Sequence, residues 1–255
     1  MKEKRQKEIL DIIEQRELFQ YQIKELSDKF NVSEMTIRRD ISQLEKNGLI
    51  KKLFGGKIVR TSRQNEPNYK LRMYEQTKEK EMIATIANNI INDGDIIFLD
   101  IGSTCHYLAR KLKDRNISVV TNWIPNIIEL AKGDNVKIIN IGGNIDKKEL
   151  HSGGIAAYER IGNFNFNKAF IGVGSISING IYDYRLEIVE LKKRVLNFSK
   201  EVIVLADNTK FFKFAPILIS KFEERLINKI ITSDIGKVHK EIIDNIKNFG
   251  IDIIS

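Results

Sequence analysis

Residues 31–56 read NVSEMTIRRDISQLEKNGLIKKLFGG. Asn31-Val32-Ser33 makes a tight turn, and the Ser33 hydroxyl can accept a hydrogen bond from an orphaned helical N–H, so a helix starts here and runs to Asn47-Gly48. At 100° per residue Ile37, Ile41 and Leu44 fall within about 60° of one another and must face a core. Met35, Arg39, Ser42 and Lys46 then point away from it, with Thr36, Arg38 and Gln43 on the flanks, and that outer face carries no acid. An arginine there reaches guanine O6 and N7 or a phosphate, and a methionine can touch a thymine methyl. Arg39, Met35 and Ser42 are placed toward bases and Arg38 and Thr36 toward phosphates that set the register, with Ser33, Gln43 and Lys46 also on the DNA-binding surface. After Gly48, residues 49–53 alternate weakly around Lys51 and Lys52, and Gly55-Gly56 turns the chain toward Lys57 to Val59. This predicts a wing whose lysines lie near phosphates.

Upstream, Ile9, Ile12 and Ile13 form one helical stripe, and Ile23, Leu26 and Phe30 form a second after a break near 19–21. The predicted unit is three short helices and a wing over residues 1–58, a small domain built to enter a groove of double-stranded DNA. The pattern by itself also fits a three-helix bundle with a solvated basic face. Charge favours the first reading. The 255 residues hold 42 Lys and Arg against 34 Asp and Glu, a net +8. Residues 1–60 carry 14 basic and 10 acidic side chains and the rest 28 and 24, so half of the excess sits on under a quarter of the length. One cysteine, Cys105, excludes an internal disulfide and fits a reducing compartment. No apolar run approaches the roughly 18 residues of a membrane span, and KEKRQKE leads into an amphipathic helix, so the expected location is the cytoplasm, with no membrane partner.

Residues 61–75 lack apolar periodicity and carry Pro67, which predicts a linker over 59–76. From Thr77 helices and strands alternate. Strands are expected at 96–100, 117–121, 136–141, 168–172, 201–206, 226–231 and 250–254, with helices at 104–113, 124–132, 186–198 and 236–247. Buried apolar strands alternating with helices imply an α/β unit over 77–255, a mostly parallel Rossmann-like sheet covered on both faces, whose ligands bind beyond the carboxyl ends of the strands.

Polar residues collect at those ends. Asp100-Ile101-Gly102-Ser103-Thr104 puts a glycine and two hydroxyls at the start of a helix, where exposed amides suit a phosphate. Thr121-Asn122, Gly142-Gly143 and Asp207-Asn208-Thr209-Lys210 follow later strands. Lys210 can neutralise a phosphate, while Asp100 or Asp207 can bond to sugar hydroxyls. Each turn alone is as well explained by a helix cap or a loop. Their recurrence at successive strand ends is what points to a site.

Both halves resemble the DeoR family of regulators. The N-terminal signature appears as Val32-Ser33, Thr36-Ile37-Arg38-Arg39-Asp40, Leu44-Glu45, Gly48 and Gly55-Gly56, with Ile41 where leucine is usual. From about Glu79 to Asp234 the chain is similar to the family's sensor domain in Glu79-Lys80 to Ala84, Asp100 to Thr104, Val119 to Asn122, Gly142-Gly143, Tyr182-Asp183-Tyr184, Val189 to Lys193 and Asp207 to Lys210. Trp123 stands where a small residue is common, and Ile188 where an acid is. The resemblance implies a winged helix-turn-helix joined to a sensor with a ribose-5-phosphate-isomerase-like fold, a phosphorylated sugar as effector, and a homo-oligomer, dimer or tetramer, on repeated half-sites. Gly102, Ser103, Thr104 and Lys210 would hold the anion. Asp100, Thr121, Asn122, Gly142, Gly143, Lys192 and Asp207 would select hydroxyls or shape the pocket.

A phosphosugar isomerase fused to a DNA-binding unit is the rival reading, because Asp100, Asp183, Asp207, Lys192 and Lys210 include the types that proton transfer needs. The glycine-rich lysine loop and paired acidic motif associated with that catalysis are missing from the sequence. His106, His151 and His239 are isolated, Cys105 suits packing, and Gly172-Val173-Gly174 lacks the third glycine of a dinucleotide loop, so neither metal nor cofactor is expected. A DNA-binding protein without a ligand would have little use for some 180 further residues. The sequence is therefore read as a sugar-phosphate-responsive transcription regulator, a repressor and not an enzyme.

Overall fold

The computed structural model describes residues 2–15, 18–19, 22–46, 50–52, 57–60 and 69–255. They group into two compact units, Met1–Asn68 and Tyr69–Ser255.

In the first unit α1 (Lys2–Gln15), α2 (Ile23–Phe30) and α3 (Glu34–Lys46) bring Ile9, Ile13, Ile23, Leu26, Ile37, Ile41 and Leu44 into one core. The turn between α2 and α3 closes because Asn31 takes the left-handed conformation (φ 49°), a geometry asparagine tolerates better than most residues, while the Val32 N–H donates to Ser27 O at 3.1 Å. Strands β1 (Leu18–Phe19), β2 (Ile50–Lys52) and β3 (Lys57–Arg60) form an antiparallel sheet in the order β1-β3-β2, with Lys52 opposite Ile58 and Leu18 opposite it on the other side. The expected wing is thus present as β2 and β3, and β1 adds a third strand that the periodicity did not suggest. Gly48, the Gly55-Gly56 turn and the stretch around Pro67 lie outside the described residues, as do the side chains of Lys51, Lys52 and Lys57.

The second unit runs α4 (Tyr69–Arg72), α5 (Thr77–Asn89), β4 (Ile96–Leu99), α6 (Ser103–Leu112), β5 (Ser118–Thr121), α7 (Ile124–Leu130), β6 (Lys137–Asn140), β7 (Asn144–Asp146), β8 (His151–Gly153), α8 (Ile155–Ile161), β9 (Phe166–Gly172), β10 (Ser175–Ser177), β11 (Gly180–Asp183), α9 (Leu186–Asn197), β12 (Ser199–Leu205), β13 (Ile217–Lys221), β14 (Lys229–Ile231), α10 (Lys240–Asn248) and β15 (Asp252–Ile254). Seven strands form one sheet in the order β15-β14-β12-β9-β4-β5-β6, every neighbouring pair parallel. Alternation splits each strand between two cores. Ile97 and Leu99 of β4 pack with Ile83, Ala87, Leu108 and Leu112 on one face, while Phe98 packs with Ala157, Ile161, Val189 and Val195 on the other. Each Val, Leu, Ile or Phe side chain taken fully out of water this way contributes about 1.5–3 kcal/mol.

Three features depart from the expected pattern. A hairpin of β7 and β8 and the short helix α8 follow Gly142-Gly143, and β10, β11 and β13 make a separate antiparallel sheet over the second core. The helix expected from 236 starts at Lys240, because the Asp234 carboxylate accepts from the Gly236 N–H at 3.1 Å and winds 235–237 into a tighter turn. Within the stretch read as linker, Tyr69–Arg72 is helical and groups with the second unit.

The strand order reverses direction between β4 and β9. From β4 the chain winds outward through β5 and β6, then returns to β9 on the other side and winds outward again through β12, β14 and β15. The crevice beyond the carboxyl ends of β4 and β9 is where such a sheet leaves room for a ligand.

Candidate functional site

The outer face of α3 is built from its cap. The Thr36 N–H donates to Ser33 Oγ at 3.2 Å, and the two hydroxyls lie 2.9 Å apart. Ile37, Ile41 and Leu44 are buried. Met35 is 73% exposed, and Arg38, Arg39, Ser42 and Lys46 are exposed around it, with Thr36 and Gln43 half-buried. Arg38 lies 3.6 Å from Glu34 one turn earlier, a surface pair that holds it weakly. Asp40, the acid beside the two arginines, points inward. Its carboxylate accepts from Arg5 Nε and Gln6 Nε2 on α1.

In the second unit the sheet's switch point is closed by a buried ion cluster. Asp100, just past β4, accepts from the Gly172 N–H at 3.0 Å at the end of β9, and lies 3.0 Å from Lys192 Nζ. Lys192 also donates to Asp183 Oδ2 at 2.6 Å and to Gly172 O at 2.5 Å. All three side chains are buried. Burial pushes the Asp100 carboxyl up in spite of Lys192. At Asp183 burial pushes the same way, but the lysine's charge and hydrogen bond win and hold the carboxyl below its usual range. Lys192 is driven the other way by burial, and the two carboxylates overcome it, so it stays protonated. Lys192 and Asp100 are thus tied to each other beneath the carboxyl ends of β4 and β9, and of the two roles expected of Lys192, selecting hydroxyls or shaping the pocket, this burial is compatible with the second.

Gly102 at φ 119° opens α6, with Ser103 and Thr104 in the first turn. The first amides of a helix have no partner within it, and this turn sits on the switch point. The Asn126 side chain joins two loops, donating to Asp100 O at 3.0 Å and to Thr121 Oγ1 at 3.4 Å. Asn122 donates from Nδ2 to Ser152 O at 3.1 Å in β8. Gly143 must be glycine, because a Cβ would meet Gly153 O at 2.3 Å. Gly142 lies beside it, at φ 72°. The amide carbonyl oxygens Oδ1 of Asn122 and Asn126 and Nδ1 of His151 are buried without a hydrogen-bond partner among the described residues, polar groups suited to a polar ligand.

After β12, Asp207 caps a turn by accepting from the Thr209 N–H at 3.0 Å and from the Thr209 hydroxyl. Burial alone would raise the Asp207 carboxyl, but the Lys210 charge and the Thr209 bond lower it. The expected residues lie on the loops after β4, β5, β6 and β12, with Lys192 on α9, and Gly143 is pressed against Gly153 at the end of β8.

The two departures from the DeoR pattern meet each other. Trp123 and Ile188 pack in one small cluster with Tyr69 and Ile101. Trp123 is 1% exposed and donates from Nε1 to Glu149 O at 2.7 Å. Sequence reasoning missed Arg72, Glu149 and Asn126, and took Lys80 only as part of a motif. Lys80 had a signal, since it stands three and four residues before Ile83 and Ala84 on an apolar stripe.

Asp100 and Asp183 are both engaged by Lys192, so neither is poised as a base for isomerisation. Among the described residues no group of three or more His, Cys, Asp or Glu side chains could hold a metal ion, and no helix is long and apolar enough to cross a membrane.

Residues 5–63 match the DeoR-like helix-turn-helix domain and residues 75–234 the DeoR C terminal sensor domain. The chain is 33% identical over 208 residues to the uncharacterized HTH-type transcriptional regulator YulB of Bacillus subtilis, covering 81% of this chain and 80% of that protein. It is 32% identical over 196 residues to the lactose phosphotransferase system repressor of Lactococcus lactis, covering 75% and 77%. Ribose 5-phosphate isomerase A of Methanocaldococcus jannaschii superposes with a TM-score of 0.39 at 16% identity over 54% of this chain and 55% of the enzyme.

Proposed function

The chain belongs to the DeoR family, whose curated members are transcription regulators and not enzymes, and from that premise we propose that it represses a sugar-metabolism operon and releases its operator on binding a phosphorylated sugar. Residues 1–58 form the DNA-binding domain, 59–76 the linker and 77–255 the sensor in this reading. Arg39, Met35 and Ser42 read bases. Ser33, Thr36, Arg38, Gln43 and Lys46, with the wing lysines Lys51, Lys52 and Lys57, hold the phosphate backbone. The protein acts in the cytoplasm as a dimer or tetramer on repeated half-sites.

The observation that carries the effector reading is the start of α6 at the switch point of the sheet. Gly102, Ser103 and Thr104 offer helix-end amides and hydroxyls to a phosphate, and Lys210 adds a cation. Thr121, Asn122, Gly142, Gly143 and Asp207 surround the sugar, and Asp100 and Lys192 shape the pocket beneath it. The name of the Lactococcus relative, a repressor of a lactose phosphotransferase system, supports a sugar as the signal. A ligand shifts the DNA equilibrium only by its differential affinity for the two states, so a preference of about 100-fold supplies at most about 2.7 kcal/mol per site.

A thermal-shift screen of hexose and pentose monophosphates, followed by a gel shift on DNA enriched from a random pool, tests this directly. A phosphosugar that raises the melting temperature and releases the DNA is the expected result. Stabilisation by none of them would reject the effector class.

A further inference from the structure

We infer that the segment Tyr69–Gln76 is a strap that latches the effector loops together and passes their state to the DNA-binding unit. The inference rests on the DNA-binding and effector readings above.

The strap touches the loops after β4 and β5, helices α6 and α9 and the β7–β8 connection. Tyr69 packs edge-on against Trp123, ring centres 5.6 Å apart at 82°, and shares a cluster with Ile101 and Ile188, which Met73 and Leu150 cover. Ile101 belongs to the loop after β4, Trp123 follows the loop after β5, and Ile188 lies one turn before Lys192. Arg72 pairs with Glu149 of the β7–β8 connection at 2.7 Å, both side chains almost buried, and Glu149 O in turn accepts from Trp123. Met73 O accepts from the Tyr107 hydroxyl of α6 at 3.2 Å. Lys80 ties down the far end, donating to the backbone oxygens of Arg72 and Glu75, and it feels the charges of Asp207 and Lys210 in the remaining loop.

Two properties make this a device. Gln76 sits in the left-handed conformation at φ 48° where the strap meets α5, a posture that costs a non-glycine residue and persists only when its surroundings enforce it. The strap is also the continuation of the chain from the N-terminal unit. A ligand that shifts the loops beside Ile101, Trp123 or Glu149 disturbs contacts of the strap, and the strap is the stretch of chain next to the N-terminal unit in sequence.

The test uses the full chain with Glu149→Ala, which deprives Arg72 of its buried partner, and Tyr69→Ala, which removes the contact with Trp123. Glu149→Gln replaces Glu149→Ala if that variant does not fold. Amide hydrogen exchange over 69–76 and affinity for DNA enriched by the wild type are measured without any phosphosugar. Faster exchange in the strap together with a loss of DNA affinity of about fivefold or more, with residues 1–68 unaltered, is expected. Faster exchange with DNA affinity within about twofold of wild type overturns the inference, as does unchanged exchange in both variants. A wild type that enriches no DNA overturns the DNA reading and the strap together. A wild type that binds DNA while hexose and pentose monophosphates give no thermal shift overturns the effector reading alone, and the two variants still decide the strap.

Discussion

Arg5 donates from Nε to Asp40 at 2.6 Å, so the acid of the Arg38-Arg39-Asp40 triplet locks α3 onto α1. With Gln6 on its other oxygen at 3.0 Å and 1% exposure, Asp40 sets the rotation of α3 and turns Arg39 outward. Asp40→Ala leaves the largely buried Arg5 charge without its partner and should cost the N-terminal unit about 3–5 kcal/mol, toward the lower value because Arg5 keeps some solvent. Denaturant unfolding of the full chain reads the loss. A change under about 0.5 kcal/mol would show that the pair holds nothing.

Arg39→Ala should weaken operator binding by about 1–3 kcal/mol and leave binding to random DNA nearly unchanged. Lys51→Ala should weaken binding to all sequences and flatten its salt dependence by about one unit of slope. Titrations of both variants on both DNAs at several salt concentrations separate the two roles. Equal losses on operator and random DNA for Arg39→Ala would remove it from base reading.

Lys192→Met should unfold the second unit more easily by about 3–5 kcal/mol, because Asp100 and Asp183 would face each other buried without a cation. The loss should shrink in acid, where protonation neutralises the carboxyl pair. Chemical denaturation at neutral and acidic pH checks both statements, and a penalty independent of pH contradicts the ion-cluster account.

Lys210→Ala should keep operator affinity and lose the response to the phosphosugar found in the thermal-shift screen. Gel shifts with increasing phosphosugar measure it. An unchanged response moves the anion seat away from the loop after β12.

Burial lowers the Lys80 ammonium to about 8 from 10.5, against the pull of Asp207. Between those values the unfolded chain holds a proton that the folded chain has released, so the contribution of Lys80 makes stability rise with pH across that window. Below it the buried charge is carried at full cost. The stability difference between wild type and Lys80→Met should therefore move in favour of wild type from pH 8 toward 10.5 in denaturation curves. A difference that stays flat over the window refutes the shifted titration.

The parts of the molecule governed by a simple period were legible in the chain. Ile37, Ile41 and Leu44 predicted the buried side of α3, and the apolar runs ending in Asp100, Thr121 and Asp207 located strands and the loops beyond them. The short antiparallel pieces β7, β8, β10 and β11 were not, since stretches such as Asn144-Ile145-Asp146 and His151-Ser152-Gly153 carry neither an apolar run nor enough residues to show a period. Helix α4 escaped for the same reason, sitting beside Pro67 in a stretch whose packing comes from distant partners such as Trp123 and Glu149. Lys80, Lys192 and Asp40 share a subtler sign. Each occupies a position on an apolar stripe, beside Ile83 and Ala84, beside Ile188, Val189 and Val195, or beside Ile37, Ile41 and Leu44. A charged side chain there is buried with a partner, and helical phase alone marks it.

The central place of β9 bears on how the protein is made. Ile97 pairs with Lys168 and Ile203 with Phe170, so both halves of the large sheet wait for one strand late in the chain, whereas among the described residues the strand pairings of the N-terminal unit close by Arg60. During synthesis the first unit can fold while β4 and β5 still lack the neighbour that joins them to the rest. A translation product cut short before residue 166 would keep the helix that carries Arg39 and lack β9, β12, β14 and β15, and on the function proposed above it would retain the DNA-facing helix without a complete sensor.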